Sequence, residues 1–145
     1  MITLHPYLIF KGNCEEAFHF YKAVFGGEIL FMGRYKEVPQ ASRQSYPGSA
    51  DEHIMHATLQ INPGAVLMGN DSVDTYGKSN GTFTNSFFLF INTEDQANAY
   101  RIFDELSVEG KITMPMTQTF WSAHYGIVID KFGVNWKITV ESDPK

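Results

Sequence analysis

The sequence predicts an α+β fold assembled from two similar modules, each with the order strand, helix and three strands. Three observations support this prediction. The order of elements occurs twice along the chain, and each predicted helix opens with a capping-box pattern, Asn13 with Glu16 and Thr93 with Gln96. The apolar stripes of the two helices also repeat at a constant offset of 81 residues. An internal duplication is the simplest explanation.

The first predicted module begins with a short apolar run at residues 4–10, which is rich in strand-forming side chains. The helix that follows carries an apolar stripe with Phe18, Tyr21 and Phe25. Gly26-Gly27 ends this helix, because glycine readily adopts the left-handed conformation. The other predicted elements are strands at residues 28–35, 55–61 and 65–68 and polar loops at residues 37–52 and 69–84.

The second predicted module repeats this plan. Its helix carries an apolar stripe with Ala99, Ile102 and Leu106. Its predicted strands lie at residues 86–91, 111–116, 125–129 and 134–140. In both modules the helix is expected to pack on the outer face of a curved mixed sheet, which leaves the inner face to line a cavity.

The length of 145 residues suits one domain, with module one at about residues 1–70 and module two at about residues 84–142. A net charge of -5 argues against nucleic acid or an anionic membrane as the main partner, because either would need a basic face. No apolar run is long enough to cross a bilayer, and the first residues lack the pattern of a signal peptide. Cys14 is the single cysteine, so no intrachain disulfide forms. We expect a soluble cytoplasmic protein.

Several motifs carry a resemblance to a known family. The segment from Tyr7 to Ala17, YLIFKGNCEEA, and the segment from Asp130 to Trp136, DKFGVNW, resemble the PhnB-like branch of the glyoxalase/bleomycin-resistance (vicinal oxygen chelate) superfamily. His56-Ala57 and Leu67-Met68 also look like motifs of that branch. The resemblance implies paired β-α-β-β-β modules around a U-shaped cavity that is often completed by a dimer. The historical family label names a demethylubiquinone methyltransferase, but no glycine-rich nucleotide motif follows the first predicted strand.

The resemblance also implies where a metal would be held, on the first and last strands of each module. Carried onto this chain, those positions are His5, Met68, Ser86 and Lys137. Only His5 is a good ligand, because methionine is soft and neutral, serine is weak and lysine is normally cationic. A divalent metal needs three or four converging donors, so we expect no bound metal and no other cofactor.

The predicted ligand cavity lies on the sheet face turned away from the two helices. Leu8 and Phe10 are expected beneath the first helix, and Phe87, Leu89 and Ile91 beneath the second, because these positions alternate along their strands. The residues expected to line the cavity are His5, Tyr7, His56, Ser86, Phe88 and Trp121.

Some of these candidates also have a purely structural interpretation. His5 would then be a half-buried histidine at the start of a strand, and His56 would share a solvent-facing side with Thr58 and Gln60. Aromatic side chains on strands, such as Phe88, usually belong to the core. Cys14 lies on the apolar stripe of the first helix, which is typical of a small buried side chain rather than a reactive thiol.

The sequence favours a metal-free protein that binds a small, partly aromatic or polar molecule in the inter-module cavity. We expect it to act as a homodimer, and no catalytic residue is assigned. The alternative is a divalent-metal-dependent lyase, isomerase or dioxygenase of the vicinal oxygen chelate superfamily, with His56 or His124 joining His5 as a ligand. A third possibility is a subunit whose main role is self-association or partner binding.

Overall fold

The computed structural model describes residues 1–72, 86–119 and 124–141. The chain divides into two compact units, Met1–Thr82 and Phe83–Lys145. Each unit contains a four-stranded mixed sheet and one long helix. Among the described residues, no helix combines the length and the apolar composition needed to cross a membrane.

The first unit is built around a sheet with the strand order β1-β4-β3-β2. Strand β1 runs parallel to β4, and the two remaining pairs are antiparallel. Its elements are β1 (Tyr7–Phe10), α1 (Cys14–Phe25), β2 (Glu28–Arg34), α2 (Gln40–Arg43), β3 (Ile54–Asn62) and β4 (Ala65–Asp71).

The second unit has the same topology, with the strand order β5-β8-β7-β6 and a parallel pair between β5 and β8. Its elements are β5 (Leu89–Thr93), α3 (Gln96–Ser107), β6 (Lys111–Thr117), β7 (His124–Ile129) and β8 (Asn135–Val140). The predicted α+β class and the two β-α-β-β-β modules are confirmed.

Two glycines occupy equivalent positions in the two units and give the number of residues that separates such positions. A Cβ added to Gly27, before β2, would lie 2.1 Å from the carbonyl oxygen of Gln60, and a Cβ on Gly110, before β6, would lie 2.4 Å from that of Ile129. The same close approach therefore recurs 83 residues further along the chain. This offset differs from the 81 residues predicted between the two helical stripes, because a stripe recurs every three or four residues and fits several offsets, whereas strand pairing fixes one.

The strand register confirms this correspondence and extends it to the last strand of each sheet. Tyr7 pairs with Met68 on β4, and Phe90, 83 residues after Tyr7, pairs with Lys137 on β8. Met68 and Lys137 therefore occupy the same place in the two sheets.

The start of helix α1 is capped from a distant strand. Asn13 makes no side-chain capping bond, so the Asn13 half of the predicted capping box is wrong. Asp71, at the end of β4, instead accepts hydrogen bonds from the backbone N–H groups of Gly12, Cys14 and Ile54, at 2.8–2.9 Å. Its side chain is buried, so this carboxylate ties the β1–α1 turn to the first residue of β3.

The start of helix α3 is capped locally, but not by the predicted residue. Asp95 accepts hydrogen bonds from the backbone N–H groups of Ala97 and Asn98. Thr93, the predicted cap, instead accepts a bond from the N–H of Asp95 at 3.3 Å. Helix α1 does end as predicted, with positive φ angles of 80° at Gly26 and 87° at Gly27.

Several predicted boundaries move. The predicted loop at residues 37–52 contains helix α2 and follows a 3₁₀ turn at Tyr35–Glu37. Strand β1 starts three residues later than predicted, and β5 starts at Leu89 rather than at residue 86. Strand β4 continues to Asp71 instead of ending at residue 68. The rest of the predicted second loop falls almost wholly on residues 73–85, outside the described residues.

The core of the first unit lies between α1 and its sheet. Leu8 and Phe10 are buried as predicted, and Phe10 packs edge-on against Phe18 of the helix. A Cβ on Gly69 would lie 2.9 Å from the Phe18 ring, so the helix approaches β4 closely at this point. The hydrophobic contact of helix and sheet therefore determines which face of the first sheet stays open.

In the second unit, the prediction of which β5 residues lie beneath the helix is only partly correct. Leu89 and Ile91 are half-buried, whereas Phe90 is exposed, which agrees with the predicted alternation. Phe87 is 59% exposed and precedes the strand, so its predicted position beneath the helix is wrong. The alternation rule applies only within a strand, and this residue lies outside it.

Candidate functional site

The open face of the first sheet carries a group of polar and aromatic side chains. Ala57 and Leu59 of β3 are buried on the helix side, so His56 and Thr58 alternate to the opposite side. Tyr7 of β1 is 45% exposed on the same open side. Parallel pairing of β1 with β4, and antiparallel pairing of β4 with β3, places these side chains in neighbouring rows.

A continuous hydrogen-bonded chain links three of these side chains. The Tyr7 hydroxyl lies 3.1 Å from His56 Nδ1, and His56 Nε2 lies 3.0 Å from the Thr58 hydroxyl. The rings of Tyr7 and His56 are stacked, with centroids 5.6 Å apart and planes 29° apart. Both nitrogens of the imidazole are therefore engaged, and its ring orientation is fixed.

Phe31 of β2 forms the opposite wall of this group. Its ring centroid lies 6.0 Å from that of His56. A Cβ on Gly33, the residue of β2 that pairs with His56, would lie 2.8 Å from the Phe31 ring. The glycine therefore leaves the space that the ring fills, and the ring lies beside the imidazole.

Asn70 of β4 adds a hydrogen-bonding group without a partner. Its Oδ1 atom is buried and has no hydrogen-bond partner within the part of the chain that the structure describes. Gly69 faces the helix, so Asn70 faces the open side, and the pairing of Ala57 with Gly69 places Asn70 next to His56. A buried, unpaired amide oxygen costs free energy that a bound donor would recover.

We refer to Tyr7, Phe31, His56, Thr58 and Asn70 as the Tyr7 cluster. Neutral histidine carries one proton, so one of its nitrogens donates and the other accepts. If Nε2 carries the proton, it donates to the Thr58 hydroxyl and Nδ1 accepts from the Tyr7 hydroxyl; if Nδ1 carries it, the two roles are reversed. In either tautomer, the cluster combines two hydroxyl groups, flat aromatic surface and one buried acceptor that has no partner among the described residues.

Comparison with known proteins places the chain in a family. A family model described as 3-demethylubiquinone-9 3-methyltransferase matches residues 3–139. Protein YjdN of Escherichia coli (strain K12) is 34% identical over 145 residues, covering 96% of this chain and 95% of that protein. The chain belongs to the PhnB-like family.

Two solved structures resemble this PhnB-like chain over nearly their whole length. Protein PA1353 from Pseudomonas aeruginosa is 33% identical with a TM-score of 0.84, covering 99% of this chain and 100% of that one. A PhnB protein from Bacillus cereus is 31% identical with a TM-score of 0.76, covering 97% of this chain and 100% of that one.

A more distant structure establishes the fold alone. A glyoxylase/bleomycin resistance protein/dioxygenase domain from Frankia sp. EAN1pec is 12% identical, has a TM-score of 0.63, and covers 97% of this chain and 98% of that one. The expected glyoxalase/bleomycin-resistance fold of the PhnB-like chain is thereby confirmed.

The structure places the six predicted site residues in different environments. Tyr7 and His56 are in contact. His5 is half-buried and lies just before β1, not within it. Ser86 and Phe88 are exposed and lie in the second unit, before β5. Trp121 lies outside the described residues.

Sequence analysis missed three members of the Tyr7 cluster as site residues. The signal for Thr58 is its position two residues after His56, which places its polar side chain on the same side of the predicted strand. Asn70 was assigned to a loop, because Gly69 looked like a strand end rather than a close approach to the helix. Phe31 lies within the strand predicted at residues 28–35, and only the paired Gly33 could have indicated the space that its ring fills.

The His, Cys, Asp and Glu side chains of the PhnB-like chain are dispersed among the described residues. Within residues 1–72, 86–119 and 124–141, no group of three or more His, Cys, Asp or Glu side chains converges to hold a metal ion. His124, an alternative ligand, lies with its Nδ1 atom 2.9 Å from the hydroxyl of Tyr100 on α3. Its ring packs edge-on against that tyrosine.

Cys14 is buried at the start of α1, and we expect it to be unreactive in the folded protein. Burial raises the pKa of the Cys14 thiol, and the negative charges of Asp71 and Glu15 raise this pKa further. A thiol-specific reagent at pH 8 should modify the native chain at least about 100-fold more slowly than the chain in concentrated urea. Equal rates in the two states would contradict the burial of this side chain.

The same shift predicts how stability depends on pH. The folded pKa of Cys14 lies above its ordinary value of 9.0, so the unfolded chain loses this proton first as the pH rises. The contribution of the protonated thiol to stability is therefore complete below pH 9.0 and declines above it.

Proposed function

We propose that this protein binds a small molecule without a metal, and that the Tyr7 cluster is a binding surface. The ligand that the cluster fits best is a small, flat molecule with at least one N–H or O–H donor and one acceptor. Tyr7, Phe31 and His56 would contact its flat surface, Asn70 would accept from its donor, and a cluster hydroxyl would donate to its acceptor.

One observation carries this proposal: polar groups lie on an open, partly aromatic sheet face, and one of them, Asn70 Oδ1, is buried without a hydrogen-bond partner among the described residues. Exposed polar residues on a sheet usually bond only to water. Here the imidazole is held on both sides, Thr58 is buried, and Asn70 Oδ1 is shielded from solvent. Fixed polar groups next to apolar surface are typical of small-molecule sites.

The donor types of the cluster support metal-independent binding. Its side chains are one imidazole, two hydroxyls, one amide and one phenyl ring, and both imidazole nitrogens already have hydrogen-bond partners. A divalent metal would have to displace these bonds and would find no carboxylate or thiolate in the cluster.

The proposal is tested by a fragment screen with isotope-labelled protein in the presence of EDTA, observed by NMR. The library would contain small aromatic molecules with and without a hydroxyl or amide group. We expect hydroxylated or amide-bearing fragments to bind with dissociation constants on the order of 1 mM and to shift the signals of His56, Thr58 and Asn70. The matched fragments without a donor should bind more weakly.

Variants determine whether the cluster is responsible. His56→Ala should weaken fragment binding about 10-fold, and Tyr7→Phe, which removes only a hydroxyl, about 3-fold to 5-fold. The control is His19→Ala, which alters an exposed histidine on α1 and should leave the affinity unchanged. Binding that appears only after a divalent metal is added, or that is equal in His56→Ala, would refute the proposal, as would the absence of any binding fragment.

A further inference from the structure

Lys137 occupies an unusual position on the open face of the second sheet. Strand β8 is an inner strand, and Lys137 pairs with Phe90 on one side and with Ile127 on the other. The residues before and after it, Trp136 and Ile138, are buried on the opposite face. A lysine at the centre of a sheet, between apolar neighbours, is a position that protein folding alone rarely favours.

The ammonium group of Lys137 has an aromatic partner. Its Nζ lies 4.7 Å from the centroid of the Phe88 ring, within the range of a cation–π contact. Within the described parts of the chain, no carboxylate lies within ion-pair distance of it. A cation–π contact positions the ammonium without neutralising it, so the positive charge remains available to an anion.

The first unit shows that the fold does not require a charge at this place. Met68 occupies the equivalent position in the first sheet, between Tyr7 and Thr58. The same backbone thus accommodates an uncharged side chain of similar length. The half-burial of Lys137 costs solvation free energy that a methionine would not lose, and an unneutralised charge here suggests a function.

Flat apolar surface lies next to this charge. Phe88 is 41% exposed and Phe90 is 51% exposed, and Phe90 is the strand partner of Lys137. An aromatic ring stacked on either phenyl group would bring a substituent within reach of the ammonium. Charge and aromatic surface together are complementary to a ligand that has both an anionic group and a flat apolar body.

We propose that Lys137, Phe88 and Phe90 form a second binding site, which takes the carboxylate of a small aromatic acid. Lys137 forms the ion pair with the carboxylate, and the two phenyl rings contact the ring of the ligand. This site uses none of the residues of the Tyr7 cluster. It shares with the proposed function only the premise that the protein binds small molecules.

Benzoate is the probe for this site, and benzamide, which has the same shape without the charge, is its matched control. In an NMR titration, benzoate should shift the signals of Phe88, Phe90 and Ile127, with a dissociation constant on the order of 1 mM. Benzamide should bind about 10-fold more weakly. Inorganic phosphate should also bind at least about 10-fold more weakly than benzoate, because it cannot stack on the rings.

In Lys137→Met, the second sheet receives a methionine at the position where the first sheet has Met68, so the variant should still fold. This variant should weaken benzoate binding about 10-fold and leave benzamide binding unchanged, and Lys137→Arg should keep the benzoate affinity within about 3-fold. Equal benzoate affinity in Lys137→Met, shifts confined to other residues, phosphate binding as strong as benzoate binding, or no benzoate binding would each overturn the proposal.

The two proposals fail separately. The variant His56→Ala tests only the Tyr7 cluster, and it should leave the benzoate titration of the second unit unchanged. Loss of benzoate binding in Lys137→Met together with a normal fragment response of the Tyr7 cluster supports the second site, whether or not the first has a natural ligand.

Discussion

Replacement of Asp71 by alanine is expected to lower the free energy of unfolding by about 4 kcal/mol, the largest effect of any single substitution considered. The substitution removes three hydrogen bonds at 2.8–2.9 Å and leaves the backbone N–H groups of Gly12, Cys14 and Ile54 without their acceptor. Two of these groups are at the start of α1, where the helix itself supplies no acceptor. Urea unfolding followed by circular dichroism would measure the change.

Two other variants separate the hydrogen bonds from the simple loss of a charge. Asp71→Asn keeps one acceptor oxygen and should cost about half as much as the alanine substitution. Asp51→Ala removes an aspartate whose exposed side chain pairs with Arg43, and it should cost less than about 1 kcal/mol. Equal effects of Asp71→Ala and Asp51→Ala would show that Asp71 does not cap the helix in solution.

Gly27→Ala is expected to lower the free energy of unfolding by about 3 kcal/mol, from two causes. The φ angle of Gly27 is 87°, which an L-residue with a side chain adopts at a cost. The added Cβ would also lie 2.1 Å from the Gln60 carbonyl oxygen, so β2 would have to move away from β3. Urea unfolding measures the loss, and the amide signals of Gln60 and Ile61 in β3 would report the displaced strand.

The neighbouring glycine provides the matched control. Gly26 has a φ angle of 80°, yet a Cβ there would meet no atom within 4 Å. Gly26→Ala therefore carries only the conformational cost, about 1 kcal/mol. The difference between the two variants measures the close contact at Gly27. If both lose the same stability, the approach of this residue to Gln60 is looser than the structure shows.

The fold was predictable where its determinants are local in sequence. The helical stripe of Phe18 and Tyr21 and the alternation of Leu8 and Phe10 each follow from neighbouring residues, and both are confirmed. The cap of α1 was not predictable, because Asp71 lies 57 residues from Cys14 along the chain. The offset between the units also depends on pairing between strands, which helical periodicity does not encode.

The candidate site was predictable only in part for a similar reason. Strand alternation together with the family resemblance predicted that Tyr7 and His56 would line the same face, and they are in contact. Nothing local indicated that Asn70 would join them, since its place depends on β4 extending past Gly69 beneath the helix. Lys137 was considered as a poor metal ligand, and its contact with Phe88 depends on the packing of side chains across two strands.

The equivalent positions of Met68 in one sheet and Lys137 in the other have a consequence for how this molecule can change. Each half of the chain has its own sheet and its own helix, so a central position of one half can acquire a new side chain while the other half retains a neutral one. The same backbone position therefore occurs twice, and its side chain can vary separately in each sheet. The ligand preference of one half can then be altered without altering that of the other. A double variant with Met68→Lys and Lys137→Met should fold, and the positive charge should move from the second sheet to the first.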